Sequence, residues 1–243
     1  MPARVDGRQA HELRPITIET GYQEFAEGSC LIGFGKTRVL CAASVAERQP
    51  GWLRNTQSGW VTAEYSMLPR STSTRTQREV ERGRPGGRTQ EIQRLIGRSL
   101  RAAVDLDLLG PRTITVDCDV LQADGGTRTA SVTGGFIALR LAAEKLALAN
   151  LIPPETITTQ VAAVSAGIVA GTPVLDLCYE EDSAAEVDFN VVMTGADAFV
   201  EVQGTAEGKP FDGASLDALV ELARGGIAEL FEHQREALRA AQT

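Results

Sequence analysis

The sequence predicts an α+β fold in which sheets of β-hairpins pack against a few helices. Three pairs of apolar, strand-like segments are each joined by a short glycine-containing turn, a pattern typical of hairpins. Three longer segments, residues 90–106, 135–151 and 215–241, have helical apolar spacing or are rich in alanine and leucine. Because the 243 residues show no sharp change of composition, we expect one domain over residues 1–243.

The composition argues against several classes of protein and of catalytic site. Hydrophobic residues make up 43% of the chain, yet no apolar run approaches the ~20 residues that span a bilayer, and no signal-peptide core is seen. The four cysteines form no Cys-x-x-Cys pair and lie in apolar runs, so we expect buried free thiols and a cytoplasmic location. The two histidines, His11 and His233, lie near opposite ends, which argues against a Ser-His-Asp triad or a histidine zinc site.

The first quarter of the chain is predicted to hold one strand and one hairpin. Residues 1–14 are polar and are expected to form an arm, and the first strand covers residues 15–19. The hairpin consists of residues 29–34 and 37–45 around a Gly-Lys turn. Residues 47–69 lack a clear pattern and are expected to be irregular.

One stretch of this hairpin partly matches a nucleotide-binding motif. The sequence from Gly33 to Thr37 ends like a P-loop. A P-loop needs a glycine five positions before Gly35, where this chain has Cys30, and it needs a helix after Thr37. We therefore do not predict a nucleoside-triphosphate site here.

The charge is unevenly distributed along the chain. The net charge is −8, but residues 70–101 contain nine arginines and three glutamates, a local balance of +6 that leaves about −14 for the remainder. The chain has only three lysines, and arginine is the better bidentate ligand for phosphate. Residues 70–88, the arginine loop, are rich in Ser, Thr, Gly and Pro. This segregation of charge predicts an anionic partner.

Two Gly-Gly turns stand out because each is followed by an arginine, a threonine and a predicted helix. The first, Gly86-Gly87, precedes Arg88 and Thr89, and Thr89 is a candidate N-cap of the helix over residues 90–106. The buried stripe of that helix is predicted from the spacing of Ile92, Leu95, Ile96 and Leu100.

The second turn, Gly125-Gly126, follows a predicted strand over residues 113–121 and precedes Thr127 and Arg128. A strand, a glycine turn and a helix start present free backbone N–H groups to an anion. Either turn alone could simply lead into a core helix and leave its arginine solvated. Together they favour a site in which one phosphate is held from two sides.

The second half is predicted to contain two more hairpins and the closing helix. The hairpins comprise residues 161–169 with 173–179 and residues 190–194 with 198–203. The inward face of the closing helix is predicted to consist of Leu219, Val220, Ala223, Ile227, Leu230 and Phe231.

An acidic segment, residues 180–188, lies between these hairpins. Asp182 and Asp188 are six residues apart, and in a strand this even spacing would put both on one face. They are either part of a solvated loop or a carboxylate pair that binds a divalent ion or supplies a general acid.

These residue types suit the attack of phosphate on a phosphodiester. Nucleophile and target are both anionic, so catalysis must neutralise charge, align the reactants and stabilise the leaving oxygen. Arginines and backbone N–H groups serve the first two needs, and Mg²⁺ on carboxylates or a protonated aspartate serves the third. No histidine base is needed because inorganic phosphate is already ionised.

The same residues resemble bacterial ribonuclease PH over nearly the whole chain. The matching motifs are, in order, Arg14-Pro-Ile, Gly86-Gly-Arg-Thr-Gln-Glu-Ile-Gln-Arg94, Asp117-Cys-Asp-Val-Leu-Gln-Ala-Asp-Gly-Gly-Thr-Arg-Thr-Ala-Ser131, Glu181-Asp-Ser-Ala-Ala-Glu186 and Glu201-Val-Gln-Gly-Thr-Ala-Glu-Gly208. The resemblance implies a ribosomal protein S5 domain 2-like α+β domain that assembles into a homohexameric ring, a trimer of dimers.

The implied activity is a phosphorolytic 3′→5′ exoribonuclease that trims tRNA precursors after the CCA end. It would release nucleoside 5′-diphosphates, add nucleotides to RNA 3′ ends in reverse, and take part in ribosomal RNA processing. Neither DNA nor a membrane is expected as a partner. The resemblance assigns phosphate binding to Arg88, Gly126, Thr127 and Arg128, catalysis and Mg²⁺ binding to Asp182 and Asp188, and tRNA binding to Arg70, Arg75 and Arg78.

Two alternatives remain. The chain could be a related exosome-type subunit or half of a polynucleotide phosphorylase, although it carries one copy of the motifs. It could also be a non-catalytic RNA-binding subunit of a ring. Such a subunit could lack Arg128, Asp182 or Asp188, and this chain has all three.

Overall fold

The computed structural model describes residues 4–242, apart from the side chains of Val80 and Arg82, and contains two sheets. The first has five strands, β1 (Ile16–Thr20), β2 (Gly28–Phe34), β3 (Thr37–Ala46), β4 (Trp60–Met67) and β5 (Thr113–Gln122). The second has four, β6 (Val161–Val169), β7 (Thr172–Leu175), β8 (Val187–Thr194) and β9 (Phe199–Ala206). The helices are α1 (Gly87–Arg101), α2 (Leu106–Leu109), α3 (Thr127–Leu148), α4 (Tyr179–Ala184) and α5 (Gly213–Ala240).

The sheets are antiparallel except at one edge. The first has the order β1-β2-β3-β5-β4, with β4 parallel to β5, and the second has the order β7-β6-β8-β9. Helix α3 contacts both sheets, and it is buried on most sides because its sequence is apolar all round. One hydrophobic cluster includes residues of both sheets, α1, α3 and α5. The assignment of residues 1–243 to one domain stays a prediction.

The predicted α+β class is confirmed, together with all three hairpins. They form β2–β3, β6–β7 and β8–β9. The closing helix is present as α5, and five of its six predicted inward residues are buried, while Val220 is partly buried. The stripe of α1 is buried as predicted. All four cysteines are free and buried. In the described part of the chain, no helix combines the length and hydropathy that a membrane span requires.

Three element predictions were wrong. Residues 47–69 are not irregular throughout, because β4 forms an edge strand whose alternate residues are buried against α1. Helix α1 ends at Arg101 rather than 106, since α2 starts separately at an Asp105 cap whose carboxylate accepts from two backbone N–H groups. Helix α3 begins at Thr127 rather than 135, directly after the Gly-Gly turn.

The predicted N-terminal arm was also wrong for the part of it that the structure describes. The side chains of Arg4, Arg8 and Arg14 are only 5%, 9% and 3% exposed and form ion pairs with carboxylates of the second half of the chain. A polar segment can be anchored in this way because a buried arginine is tolerated when an acid is paired with it.

Candidate active site

One surface cavity brings together six of the predicted site residues. It has a volume of about 570 Å³ and lies where the starts of α1 and α3 face α4 and β8. Its walls include Arg88, Gly126, Thr127, Arg128, Asp182 and Asp188. The three predicted tRNA-binding arginines do not line it.

The turn before α3 can be built only from glycine. Gly125 and Gly126 have φ angles of 75° and 65°, a left-handed conformation that side chains disfavour. A Cβ atom on Gly125 would lie 2.5 Å from the carbonyl oxygen of Leu177, so the backbone before α4 packs directly against the turn. Gly126 is the N-cap of α3 and provides no capping side chain. The first-turn N–H groups therefore keep their capacity to bind an anion.

A buried ion pair holds this turn in place. Arg14 donates from Nη2 and Nε to the two carboxylate oxygens of Asp176, at 2.6 and 3.0 Å. Its Nη1 donates to the carbonyl of Asp124, and Nη2 lies 3.4 Å from that of Gly125. Burial alone would lower the pKa of Arg14, but the bond to Asp176 raises it. The hydroxyl of Thr37 adds a bond of 2.7 Å to the carbonyl of Gly125.

Arg14, Asp176 and Thr37 together form a clamp on the Gly125-Gly126 turn, and the sequence did not predict it. In the sequence Thr37 stands out only as the end of a P-loop-like stretch, yet it contacts the turn from the neighbouring strand. Arg14 stands out only as part of a family motif, and the sequence contains no local signal that it pairs with Asp176 162 residues later. Invariance of these positions among relatives would be the signal that could reveal them.

The first turn of α3 presents Thr127 and Arg128 to the cavity. The hydroxyl of Thr127 lies 2.9 Å from that of Tyr65 on β4, so part of its hydrogen-bonding capacity is already used inside the protein. Burial raises the pKa of Tyr65, against the opposing effect of this bond, so its hydroxyl stays protonated. The side chain of Arg128 is 12% exposed, and its Nη1 donates to Oε1 of Gln203 at 2.7 Å.

The start of α1 is built differently. Arg88 is exposed and lies in the first turn of the helix, after Gly86 as N-cap. Thr89 is not the N-cap that the sequence suggested, since its hydroxyl donates to the Glu79 carboxylate at 2.7 Å. The same carboxylate oxygen accepts from the N–H of Gly86 at 3.3 Å, so a side chain of the arginine loop contacts this helix start.

The two aspartates come from different elements. The predicted shared face of a strand was wrong, because Asp182 lies on α4 and only Asp188 lies on a strand, β8. They still line the same cavity, since the chain turns between α4 and β8. Although Asp182 is accessible to solvent, the surrounding cavity walls raise its pKa, and the charge of Asp188 raises it further. Asp188 accepts a hydrogen bond of 3.0 Å from Asn190.

Helix α4 is fixed by the residue beside Asp182. The carboxylate of Glu181 accepts two bonds from Arg4, at 2.8 and 2.7 Å, and one from the N–H of Cys178 at 3.1 Å. Burial favours the protonated form of Glu181, but the bonds from Arg4 and Cys178 and the charges of Arg4 and Arg8 together lower its pKa. Glu181 is therefore a structural anion, whereas Asp182 faces the cavity.

The carboxylates of Asp182 and Asp188 are suited to bind one Mg²⁺ ion together with a substrate phosphate. Among the described residues, no cluster of three His, Cys, Asp or Glu side chains could hold a metal ion by itself. Mg²⁺ usually binds through one or two carboxylates, substrate phosphates and water. Asp182 and Asp188, beside a cavity with two arginines, provide such a donor set. A cation bound between them would relieve the repulsion between the two carboxylates and favour the ionised form of Asp182.

The arginine loop forms one wall of the cavity with its hydroxyl residues. Thr72, Ser73, Thr74 and Thr76 line the cavity. Arg70, Arg75 and Arg78 are exposed and lie outside it. These three arginines are therefore open to solvent on a loop that borders the cavity, where an extended polyanion can reach them.

Known proteins resemble the chain along most of its length. The models of the 3′ exoribonuclease family match it as domain 1 over residues 12–143 and as domain 2 over residues 159–226. Rice (Oryza sativa) Rrp46 superposes with a TM-score of 0.80 at 18% identity, covering 97% of this chain and 100% of its own. An archaeal exosome core gives a TM-score of 0.76 at 23% identity and coverages of 96% and 91%. An Archaeoglobus fulgidus exosome with RNA bound to the active site gives 0.78 at 22%, with coverages of 96% and 92%.

Proposed function

Because the chain belongs to the 3′ exoribonuclease family, we propose that it is a phosphorolytic 3′→5′ exoribonuclease of the bacterial ribonuclease PH type. The observation that carries this proposal is the shared cavity, in which two arginines, a glycine-built helix start and two carboxylates face one another. This combination suits a reaction between two anions.

In the proposed reaction an oxygen of inorganic phosphate attacks the phosphorus of the terminal phosphodiester. The bond to the 3′ oxygen of the preceding nucleotide breaks, a nucleoside 5′-diphosphate leaves, and the 3′ oxygen takes up a proton. Arg88, Arg128 and the N–H groups at Gly126 and Thr127 bind and orient the phosphate. Mg²⁺ held by Asp182 and Asp188 would stabilise charge on the leaving oxygen.

Asp182 is also a candidate proton donor. Its raised pKa increases the fraction that is protonated in the folded protein compared with an ordinary aspartate. The two roles differ in the protonation state they require, because metal binding needs a carboxylate and proton transfer needs an acid. Metal binding and proton transfer are therefore both proposed for the pair, and neither is assigned to one aspartate alone.

We further propose tRNA precursors as substrates, with other RNA 3′ ends as secondary ones, and a homohexameric ring in the cytoplasm. The exposed Arg70, Arg75 and Arg78 would contact the phosphates of the tRNA body while its 3′ strand enters the cavity. Two of the similar structures are exosomes, one of them with RNA bound to the active site, which supports RNA as the partner and an assembly of several subunits.

The second candidate function is an inactive, RNA-binding ring subunit. The likeness to Rrp46 at 18% identity favours it only through the shared fold. An inactive subunit has no need for a phosphate cavity that retains both aspartates and both arginines, as this one does.

The deciding experiment incubates a 3′-extended tRNA with the purified protein, with and without phosphate. Release of nucleoside 5′-diphosphates only in the presence of phosphate is the expected result. Release of 5′-monophosphates without phosphate would replace phosphorolysis by hydrolysis. Binding without any release, under the same conditions, would favour the inactive subunit.

A further inference from the structure

Arg128 is held by Gln203, which is in turn hydrogen-bonded to Glu91, and both residues come from other parts of the fold. Its Nη1 donates to Oε1 of Gln203 on β9 at 2.7 Å. The amide nitrogen of Gln203 in turn donates to Oε1 of Glu91 at 3.1 Å, and this oxygen lies 3.7 Å from Nη1 of Arg128. Glu91 lies on α1, about one turn after Arg88. A three-residue chain thus connects the two helices that carry the arginines of the cavity.

The direction of the Gln203 amide is fixed by its two neighbours. A glutamine amide has one accepting oxygen and one donating nitrogen, and either can face a given partner. An ionised carboxylate only accepts and a guanidinium only donates. The nitrogen must therefore face Glu91 and the oxygen must face Arg128. If Glu91 lost its accepting oxygen, the amide could turn and place its NH₂ group against the arginine.

This arrangement leaves Arg128 available for an anion. Only one of its nitrogens is engaged with Gln203, so the other donors of the planar guanidinium can still reach a phosphate. Glu91 is 53% exposed and its carboxylate lies 3.7 Å from Nη1 of Arg128, so solvent weakens this ion pair and the arginine can still attract an anion. An arginine that is already fixed loses less conformational entropy when it binds phosphate.

We propose that Gln203 and Glu91 are positioning residues, which act through Arg128 to set the affinity for inorganic phosphate. The inference rests on the proposed function, because it takes Arg128 as a phosphate ligand. Gln203 supplies the contact that holds the guanidinium. Glu91 supplies the acceptor that keeps the amide of Gln203 in the required direction, and thereby joins the α1 side of the cavity to the α3 side.

The test compares variants that keep or remove each hydrogen-bonding atom. Gln203→Leu preserves most of the side-chain volume but removes the hydrogen bond to Arg128. We expect it to raise the KM for phosphate about tenfold and to lower kcat much less, since one bond to a charged group is removed. Glu91→Leu should raise the same KM in the same direction. Glu91→Gln keeps an accepting oxygen and should stay within about twofold of wild type.

The matched control lies on the same strand. Glu201, two residues before Gln203, forms an ion pair of 3.0 Å with Arg98 of α1 and does not line the cavity. Glu201→Gln weakens the same α1–β9 interface without affecting Arg128, so its KM for phosphate should be unchanged. Inorganic phosphate alone serves as a second probe, since its effect on the melting temperature reports binding without turnover.

The outcomes separate this inference from the proposed function. A wild-type protein that shows no phosphate dependence would refute the proposed function itself. A wild-type protein with saturable phosphate dependence, together with unchanged phosphate KM and phosphate-induced stabilisation in Gln203→Leu, would refute only the positioning role. Equal effects of Glu91→Leu, Glu91→Gln and Glu201→Gln would also refute it, because they would indicate a general role of the α1–β9 interface.

Discussion

The two Gly-Gly turns have the same sequence pattern but are built in different ways. Gly125-Gly126 is left-handed, packs against the backbone before α4 and is bound by a buried arginine. Gly86-Gly87 lacks positive φ angles, a Cβ on Gly87 would meet nothing within 4 Å, and the side-chain contacts of the turn come from the partly buried Glu79. One turn is fixed by the core of the protein, and the other is open to solvent beside the arginine loop.

The difference gives the two sides of the proposed phosphate site different roles. The α3 side offers preformed N–H groups at a position that the surrounding structure determines. The α1 side carries Arg88 on an exposed turn that contacts the segment proposed to bind RNA. An anion held between them would therefore meet one wall fixed by the protein core and one wall that is open to solvent and to the RNA.

The largest expected effect comes from removing the clamp of the fixed turn. Arg14→Met removes the two guanidinium bonds to the buried carboxylate of Asp176 and leaves it the longer ion pair to Arg8, which should cost about 3 kcal/mol of unfolding free energy. Glu79→Gln, the corresponding change at the open turn, should cost less than about 1 kcal/mol because it alters one partly exposed side chain. Urea denaturation of both variants measures this contrast. Similar losses of stability would show that the two turns are equally rigid.

Alanine at the glycines provides the next test. Gly125→Ala places a Cβ 2.5 Å from a backbone carbonyl at a φ of 75°. We expect it to destabilise the protein by about 2 kcal/mol or more. Gly87→Ala meets no atom and reduces the freedom of the unfolded chain, so it should stabilise by about 0.5 kcal/mol. Thermal unfolding distinguishes them, and a destabilised Gly87→Ala would mean that the open turn is constrained after all.

The exposed side should govern the salt dependence of tRNA binding. Replacing Arg70, Arg75 and Arg78 with glutamine should weaken binding about tenfold or more. The salt slope should fall by about one unit for each phosphate that the protein no longer neutralises. A short oligonucleotide that reaches only the cavity should still be degraded at nearly the normal rate. Equal reductions on both substrates would place these arginines in the catalytic site instead.

The smallest expected effect is the change in the protein's stability when Asp182 is replaced. The pKa of Asp182 is raised by the surrounding cavity walls and by the charge of Asp188. Its ionised form therefore destabilises the folded protein above that pKa, and the cost disappears as the pH falls below the unfolded-state pKa. Asp182→Asn should therefore raise the melting temperature by about 1–2 °C near pH 7, and the gain should vanish in acid. Turnover should be abolished while tRNA binding remains. A lower melting temperature at pH 7 would contradict this assignment.

Much of the fold could be predicted because its signals are local. Hairpins follow from alternating apolar residues around glycine turns, and α5 follows from its helical period. Strand β4 was missed although Trp60 to Met67 alternates in burial, because it pairs in parallel with a strand about fifty residues later and has no hairpin turn. Its pairing depends on tertiary structure that the local pattern does not contain.

The candidate site could be predicted where its residues lie in sequence motifs. Both Gly-Gly turns and their arginines could be found in this way, and the structure places Gly125, Gly126 and the two arginines around one cavity. The ion pairs that hold these residues in place could not be predicted. Arg14 and its partner Asp176 are 162 residues apart, and Arg4 and its partner Glu181 are 177 residues apart. Charged side chains in a sequence do not show which opposite charge will be buried with them.

The central claim is that both helix starts bind the same phosphate, and calorimetric titration of inorganic phosphate tests it most directly. Wild type, Arg88→Ala and Arg128→Ala should be compared under one set of conditions, after circular dichroism has confirmed that each is folded. The claim predicts one phosphate per chain in wild type and an affinity at least about tenfold lower in each single variant. Two phosphates per wild-type chain, or one of the variants binding phosphate as tightly as wild type, would contradict it.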